Sequence, residues 1–369
     1  MKKIKSLLIS SKDVPSDTYG TGQRLLSIKI ALEKLGECRV LWLAPQPQEN
    51  IPATVDYTAP SGIPHNPERM YWIRRNLSFS NFRLYLPAIK EVEKIRETYQ
   101  FDVAFCSFFA ASVAAPHHFV PCILDADRLP MPETTLTRAI WPVTKYMMNR
   151  CGAKFKHVFV IRPDDRFILN KCNTTWLPCI SATAKAQIDV QSDAKNILFV
   201  GSAGWQPNRD AITFLITQVL PRLRAINPEL RIRLVGDGTE AYSGIDGVDA
   251  AGFVADIVQE YKQALVVMCP IWNKGGANVK LAEALQYGCA IVASTNAADG
   301  FRGIVTPGKD ILVAENNEMM IEVLCNLIKN PVQLVKIKEN ARLLADSFLS
   351  QAYIDKIIKQ IVSNVVEQQ

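Results

Sequence analysis

Two kinds of block alternate along the chain. Short apolar runs such as Leu7-Leu8-Ile9, Val40-Leu41-Trp42-Leu43 and Val266-Val267-Met268-Cys269 have no period and end at turn residues, the pattern of strands buried on both faces. Between them apolar residues recur every three or four positions, as on one side of a helix. The first half predicts strands over 4–10, 39–44, 101–106, 120–125, 157–161 and 176–179. Its helices fall over 24–35, 83–99, 110–115, 133–151 and 163–169. Residues 45–67 are rich in proline and polar side chains without a period, and read as an irregular excursion. Residues 180–195 are polar and aperiodic, and read as a linker. The alternation then restarts, with strands over 196–200, 231–235, 248–250, 265–270, 289–293 and 311–313. Helices are expected over 210–226, 256–263, 317–329, 332–347 and 351–365, with a short one ahead of Gly288. Strands alternating with helices in both halves predict an α/β protein of two Rossmann-like domains, their parallel sheets facing across a cleft. The boundaries are 1–180 and 196–348, with 349–369 as a terminal helix packing back toward the first domain.

Composition agrees with a packed protein: of 369 residues, 48% are apolar and 21% charged. No apolar run is long enough to cross a bilayer. The opening Met1 to Ser10 superficially resembles a leader, but its apolar part is short and Ser11-Lys12-Asp13 follows without a small-residue cleavage pattern, so it reads as the first strand. The nine cysteines are scattered without metal-ligand spacing, and several lie in apolar runs. They read as reduced core residues of a cytoplasmic protein. Up to Val190 there are 25 Lys and Arg against 17 Asp and Glu, and beyond it 17 against 19. A basic first half suits either an anionic partner or a plain solvated face.

The candidate chemistry lies in glycine loops that follow strands. The stretch Lys274-Gly275-Gly276-Ala277-Asn278-Val279-Lys280-Leu281-Ala282-Glu283-Ala284 leads from a strand through a glycine turn into a helix. A helix start of this kind leaves backbone N–H groups free for an anion. Phe199-Val200-Gly201-Ser202, Val235-Gly236-Asp237-Gly238 and Gly252-Phe253-Val254 repeat the strand-then-glycine layout, so together they would line one edge of the second sheet. In the first half Gly20-Thr21-Gly22-Gln23-Arg24 follows the first strand. It lacks the third glycine of a dinucleotide fingerprint, and Leu43-Ala44-Pro45 offers no acidic residue after the second strand, which argues against a nicotinamide enzyme.

In this order the segments resemble retaining GT-B glycosyltransferases of family 4, the glycosyl transferases group 1. The resemblance is specific over 196–348 and weaker in the first half, where it rests on Gly20-Thr21-Gly22 and on Ile123-Leu124-Asp125-Ala126-Asp127. It implies transfer of a sugar, with retention, from a nucleotide-diphosphate donor held by the second domain to a glycan, lipid-linked or other acceptor held by the first, in bacterial polysaccharide or glycoconjugate synthesis. It also implies that the nucleotide-sugar is a substrate and that no metal or other cofactor is needed. Glu283 takes the place of the second glutamate of the family's paired-glutamate element, the acceptor for donor ribose hydroxyls. The first would fall at Gly275 and is absent. Gly22, Gly201, Ser202, Gly276, Ala277, Asn278 and Val279 are donor-binding candidates, with Asn278 and Val279 where the family offers backbone N–H groups to the donor phosphate, and Gly236, Phe253 and Val254 at the base-binding edge. The usual Arg and Lys clamp is missing at Ser202 and Pro207. Lys280 is its best internal substitute and a catalytic candidate, with Arg24 or Arg209 next.

Asp127 is the acceptor-side catalytic candidate, with His117 and His118 as alternatives nearby in sequence. Trp141, Tyr146, Met147 and Met148 with Lys145 and Arg150, together with Arg74, Arg75 and Arg83, suit either core packing or peripheral contact with the inner face of a membrane. Nothing suggests nucleic acid. The missing glutamate and clamp leave a second reading, a non-catalytic GT-B-like partner of a glycosyltransferase complex.

Overall fold

The computed structural model describes residues 3–11, 14–16, 20–44, 51–60, 82–127, 129, 132, 135–181, 184, 195–273 and 277–368. Two compact units are present, Met1–Ala182 with Gln351–Gln369, and Thr183–Ser350.

The first unit holds strands β1 (Ser6–Ser10), β2 (Cys38–Ala44), β3 (Tyr57–Pro60), β4 (Val103–Ser107), β5 (Cys122–Ala126), β6 (His157–Val160) and β7 (Thr174–Trp176). All pair in parallel, in the order β3-β2-β1-β4-β5-β6-β7. The central strands β1, β4 and β5 are buried at every position, which is why each carries an apolar run such as Leu7-Leu8-Ile9 or Cys122-Ile123-Leu124. The helices are α1 (Gly20–Glu33), α2 (Phe82–Thr98), α3 (Phe108–Ala111), α4 (Thr135–Ala139), α5 (Trp141–Gly152) and α6 (Asp165–Ile168).

Strand β3 lies inside the stretch expected to be irregular. It pairs with β2 from Leu41 opposite Tyr57 to Ala44 opposite Pro60. Only an edge strand tolerates a terminal proline, and that proline hid it. The single helix expected over 133–151 is two, separated at Ile140, because Pro142 opens α5 and has no N–H to continue the ladder.

The second unit holds β8 (Asn196–Val200), β9 (Arg231–Val235), β10 (Val248–Ala250), β11 (Ala264–Cys269), β12 (Ile291–Ser294) and β13 (Leu312–Ala314), in the order β10-β9-β8-β11-β12-β13. Its helices are α7 (Gln206–Phe214), α8 (Leu220–Ile226), α9 (Ile257–Lys262), α10 (Val279–Gln286), α11 (Thr295–Ala298), α12 (Asn317–Ile328) and α13 (Pro331–Phe348). A π-helical turn, Leu215–Val219, joins α7 to α8 where one helix was expected. Pro221 in the first turn of α8 lacks the N–H that would close the α-ladder there.

The last helix, α14 (Gln351–Glu367), returns to the first unit. Ile354, Ile358, Val362 and Val365 form its buried stripe. Gln351 Nε2 donates to the Ser27 carbonyl of α1 at 2.9 Å, and Lys34 pairs with Asp355 at 2.5 Å.

Both sheets share the doubly wound order in which the chain reverses direction across the sheet beside its first strand, between β1 and β4 in one and between β8 and β11 in the other. Ligands of such sheets bind outside the carboxyl ends of the strands at that reversal.

Candidate functional site at the carboxyl edge of the second sheet

Three glycines let the strand ends of the second sheet close on one another. Gly201, after β8, donates its N–H to the Val235 carbonyl at 2.8 Å. Gly236, after β9, donates to the Gly252 carbonyl at 2.8 Å with φ of 133°. A Cβ on Gly236 would stand 2.6 Å from the Gly201 carbonyl, so backbone approach fixes glycine there. Ser202 continues the turn, its carbonyl accepting from Asn208 Nδ2 at 2.8 Å and its Oγ from the Gly204 N–H at 3.1 Å.

Lys280 reaches this turn from the first turn of α10. Its ammonium donates to Asn208 Oδ1 at 2.8 Å and lies 4.3 Å from the centre of the Phe199 ring. A Cβ on Gly201 would come within 2.8 Å of the ammonium nitrogen; the missing side chain is the space the charge occupies. The residue as a whole is partly accessible, yet its charged end is desolvated. Burial holds its pKa down to about 8, with Cys269 and Glu283 acting weakly the other way.

Helix α10 begins at Asn278, whose side chain does not cap it. Asn278 Nδ2 donates instead to the Ala297 carbonyl at 3.3 Å. Among the described residues no side chain caps the helix start, which lies next to a lysine, an arrangement that favours an anion. Ala277, Asn278 and Val279 are half-buried around it. Gly276, with Lys274 and Gly275, lies outside the described residues.

Glu283 is buried rather than an exposed helical charge, 7% accessible, and its Oε2 accepts from the Tyr261 hydroxyl at 3.0 Å. Tyr261 is fully buried and stacks on Tyr287 at 4.8 Å. Burial first, and then the Glu283 carboxylate, push its pKa well above the ordinary tyrosine value, so it stays a donor that fixes the carboxylate. Phe253 is 68% exposed beyond β10, with Val254 half-buried beside it.

Of the other cations, Arg209 folds back onto its own loop, donating to the Ala203 and Gly204 carbonyls at 2.7 and 2.8 Å and to Gln206 Oε1. Arg24 is in the first unit and 2% accessible. Its guanidinium donates to both Asp125 oxygens, at 2.6 Å for the shortest contact, and to the Leu177 and Pro178 carbonyls at 2.7 and 3.1 Å. Neither arginine is disposed as a substitute phosphate clamp.

Asp127 follows β5 at the carboxyl edge of the first sheet, 5% accessible, with an oxygen 3.9 Å from Arg24 Nε. Burial alone would lower the Arg24 pKa, but Asp125 and then Asp127 carry it above its ordinary value. His117 precedes β5 and packs edge-on against Phe155 at 4.6 Å, ahead of β6. In a parallel sheet that is the amino edge, opposite Asp127. Gly22 lies in the first turn of α1, where a Cβ would meet Ser16 Oγ at 2.2 Å, so contact with the preceding loop accounts for that glycine. Beside β4, Phe108 has φ of 68°, the one left-handed non-glycine among the described residues.

The reading from sequence gave no role to Asn208, Tyr261 or Phe199. Asn208 stood in view, after a proline at a helix start, but one of its two partners, Lys280, arrives from α10, 72 positions later.

Residues 194–330 match the family of glycosyl transferases group 1. Over 179 residues the chain is 25% identical to the UDP-N-acetylglucosamine–N-acetylmuramyl-(pentapeptide) pyrophosphoryl-undecaprenol N-acetylglucosamine transferase of Citrifermentans bemidjiense, covering 44% of this chain and 48% of that protein. The transferase of the same name from a Geobacter strain is 24% identical over 177 residues. The chain thus spans about half the length of the curated relatives it matches. Among solved structures, sucrose-phosphate synthase from Thermosynechococcus elongatus superposes with a TM-score of 0.71 at 14% identity, over 98% of this chain and all of that one. HepE of Anabaena in complex with UDP gives 0.67 at 14% identity, with the same coverage. These likenesses show the fold, GT-B with two Rossmann-like units.

Proposed function

We propose that the chain is a glycosyltransferase that takes a sugar from a nucleoside-diphosphate donor at the carboxyl edge of the second sheet. The observation that carries this is the Lys280 ammonium, held without a close counter-ion among the described contacts, beside the uncapped start of α10. A diphosphate placed there meets a cation and free N–H groups together, and both gain strength as the leaving group acquires charge. That pairing supplies electrostatic help without a metal. Glu283, steadied by Tyr261, accepts from the ribose hydroxyls, since a carboxylate has room for several donors. Phe253 and Val254 offer an exposed apolar edge to the base. UDP is the first nucleotide to test, because HepE binds it and the curated relatives are named for a UDP-sugar.

Sugar transfer proceeds with retention in this reading, and Asp127 orients the acceptor hydroxyl. The acceptor is a lipid-linked or growing bacterial glycan, in keeping with the undecaprenol-linked acceptor in the relatives' name. No helix among the described residues is long and apolar enough to cross a membrane. Helices α4 and α5 do expose Leu136, Val143 and Tyr146 beside Arg138, Lys145 and Arg150, while Met148 is buried and Trp141 packs on the core. That surface would meet the cytoplasmic face of a membrane carrying the acceptor. Arg74 and Arg75 lie outside the described residues.

Isothermal titration with UDP, GDP and ADP tests the donor site. Binding of at least one, lost in Lys280→Met, is expected; absence of binding by all three would overturn the proposal. Anomeric configuration of the product, read by NMR, tests retention, and flotation with anionic vesicles tests the membrane contact.

A further inference from the structure

Asn208 has no role in the reading above, yet it is the residue on which the Lys280 ammonium rests. It comes from the first turn of α7 and is 5% accessible. Its amide is used at both ends: Nδ2 donates to the Ser202 carbonyl at 2.8 Å, and Oδ1 accepts from Lys280 at 2.8 Å. The carbonyl partner requires the NH2 group and the ammonium requires the oxygen, so the amide orientation is fixed by chemistry. Asn208 therefore ties the turn after β8 to the side chain arriving from α10. The Phe199 ring, at 4.3 Å, offers its face to the same cation. Gly201 leaves the volume open, for a Cβ there would stand 2.7 Å from Asn208 Nδ2 and 2.8 Å from the ammonium.

We propose that Asn208 is a positioning residue: its neutral amide holds the Lys280 ammonium over Gly201 as a charge that a nucleotide phosphate, and no close carboxylate among the described residues, neutralises. The inference rests on the donor-site reading of Lys280. A carboxylate in this position would hold the lysine equally well but cancel its charge before ligand arrived. An apolar side chain would leave it unplaced and its hydrogens unmet. The neutral amide avoids both. The other titratable groups facing the ammonium are Cys269 of β11, a buried thiol whose pKa burial raises to about 11, and Glu283 one turn along α10. The thiol stays neutral at physiological pH, and Glu283 is held by Tyr261.

The test compares Asn208→Asp, Asn208→Ala and Lys280→Met in the full chain. Two quantities are read: the Lys280 titration midpoint in the ligand-free protein, by NMR of ε-13C-labelled lysine, and UDP affinity against pH by calorimetry. The lysine signal is assigned by its loss in Lys280→Met. In the unaltered protein the midpoint is expected near 8, with UDP affinity falling as pH rises through it. Asn208→Asp should raise the midpoint by more than one pH unit and weaken UDP binding at pH 7 by tenfold or more. Asn208→Ala should weaken UDP binding tenfold while leaving the melting temperature within a few degrees. A Lys280 midpoint unmoved in Asn208→Asp would overturn the positioning role, even with UDP binding intact. UDP affinity equal in Lys280→Met and the unaltered protein would instead overturn the donor-site reading, whatever the midpoints. The NMR measurement needs no ligand, so the two failures are distinguishable.

Discussion

The two sheets share one winding order and finish their carboxyl edges with opposite electrostatics. At the first, Arg24 is met by Asp125, Asp127 and two carbonyls, all within a buried cluster. At the second, Lys280 is met by a neutral amide and an aromatic face. The same topology offers the same crevice; the counter-ion decides what a buried cation does. Paired with carboxylates, it fastens distant parts of a fold. Left unpaired, it costs stability in the free protein and favours an anion that binds later. The backbone differs in the same sense. Glycines relieve the turns after β8 and β9, whereas the turn after β4 holds Phe108 in a left-handed conformation.

Substitutions can break or sharpen this contrast. The largest effect is expected from Arg24→Ala, which strands two buried aspartates and should cost about 3–5 kcal/mol in a denaturant titration; a loss below about 1 kcal/mol would mean the cluster is not structural. Gly201→Val should displace the ammonium from its seat and weaken UDP binding by about a hundredfold, roughly 2.7 kcal/mol, with the circular dichroism spectrum retained. Equal affinity would place the cation's working position elsewhere.

Asp165 probes the first unit differently. Burial raises its pKa to about 6, against a weaker opposing effect of Arg162. Its folded value exceeds its unfolded one, so the penalty is absent below about pH 4 and complete above about pH 6. Asp165→Asn should therefore stabilise by about 1–3 kcal/mol at pH 7.5 and by nothing at pH 3.5; a gain independent of pH would exclude ionisation as its cause. The smallest effect is expected at Phe108→Gly. Relief of the left-handed backbone, about 1 kcal/mol, is offset by the lost ring contacts, and a net loss beyond about 2 kcal/mol would show that packing, not strain, governs that turn.

The sequence exposes the second edge more plainly than the first, for a local reason. Each glycine there follows its own strand, so strand and turn are read in one short window. Glu283 was legible as a residue but not as a buried one, since its partner Tyr261 arrives from α9. Arg24 and Asp125 are separated by 101 positions, and only the folded sheet reveals that they neutralise each other. That is why Arg24 read as a spare cation. Asn208 was hidden the same way, its function resting on a lysine 72 positions later. Where single residues govern, at Pro60, Pro142 and Pro221, the chain states its own interruptions, and what has to be learned from the structure is only whether a strand or a helix is interrupted.

The return of α14 to α1 has a consequence for synthesis. The second unit is one uninterrupted length of chain, Thr183–Ser350, but the first is split around it. On a ribosome the earlier-made unit must wait with the α1 face that packs against α14 uncovered, while the later-made unit has all its sequence and can close. The order of maturation thus runs against the order of translation, and during that interval the basic half of the molecule is the one a chaperone would find exposed.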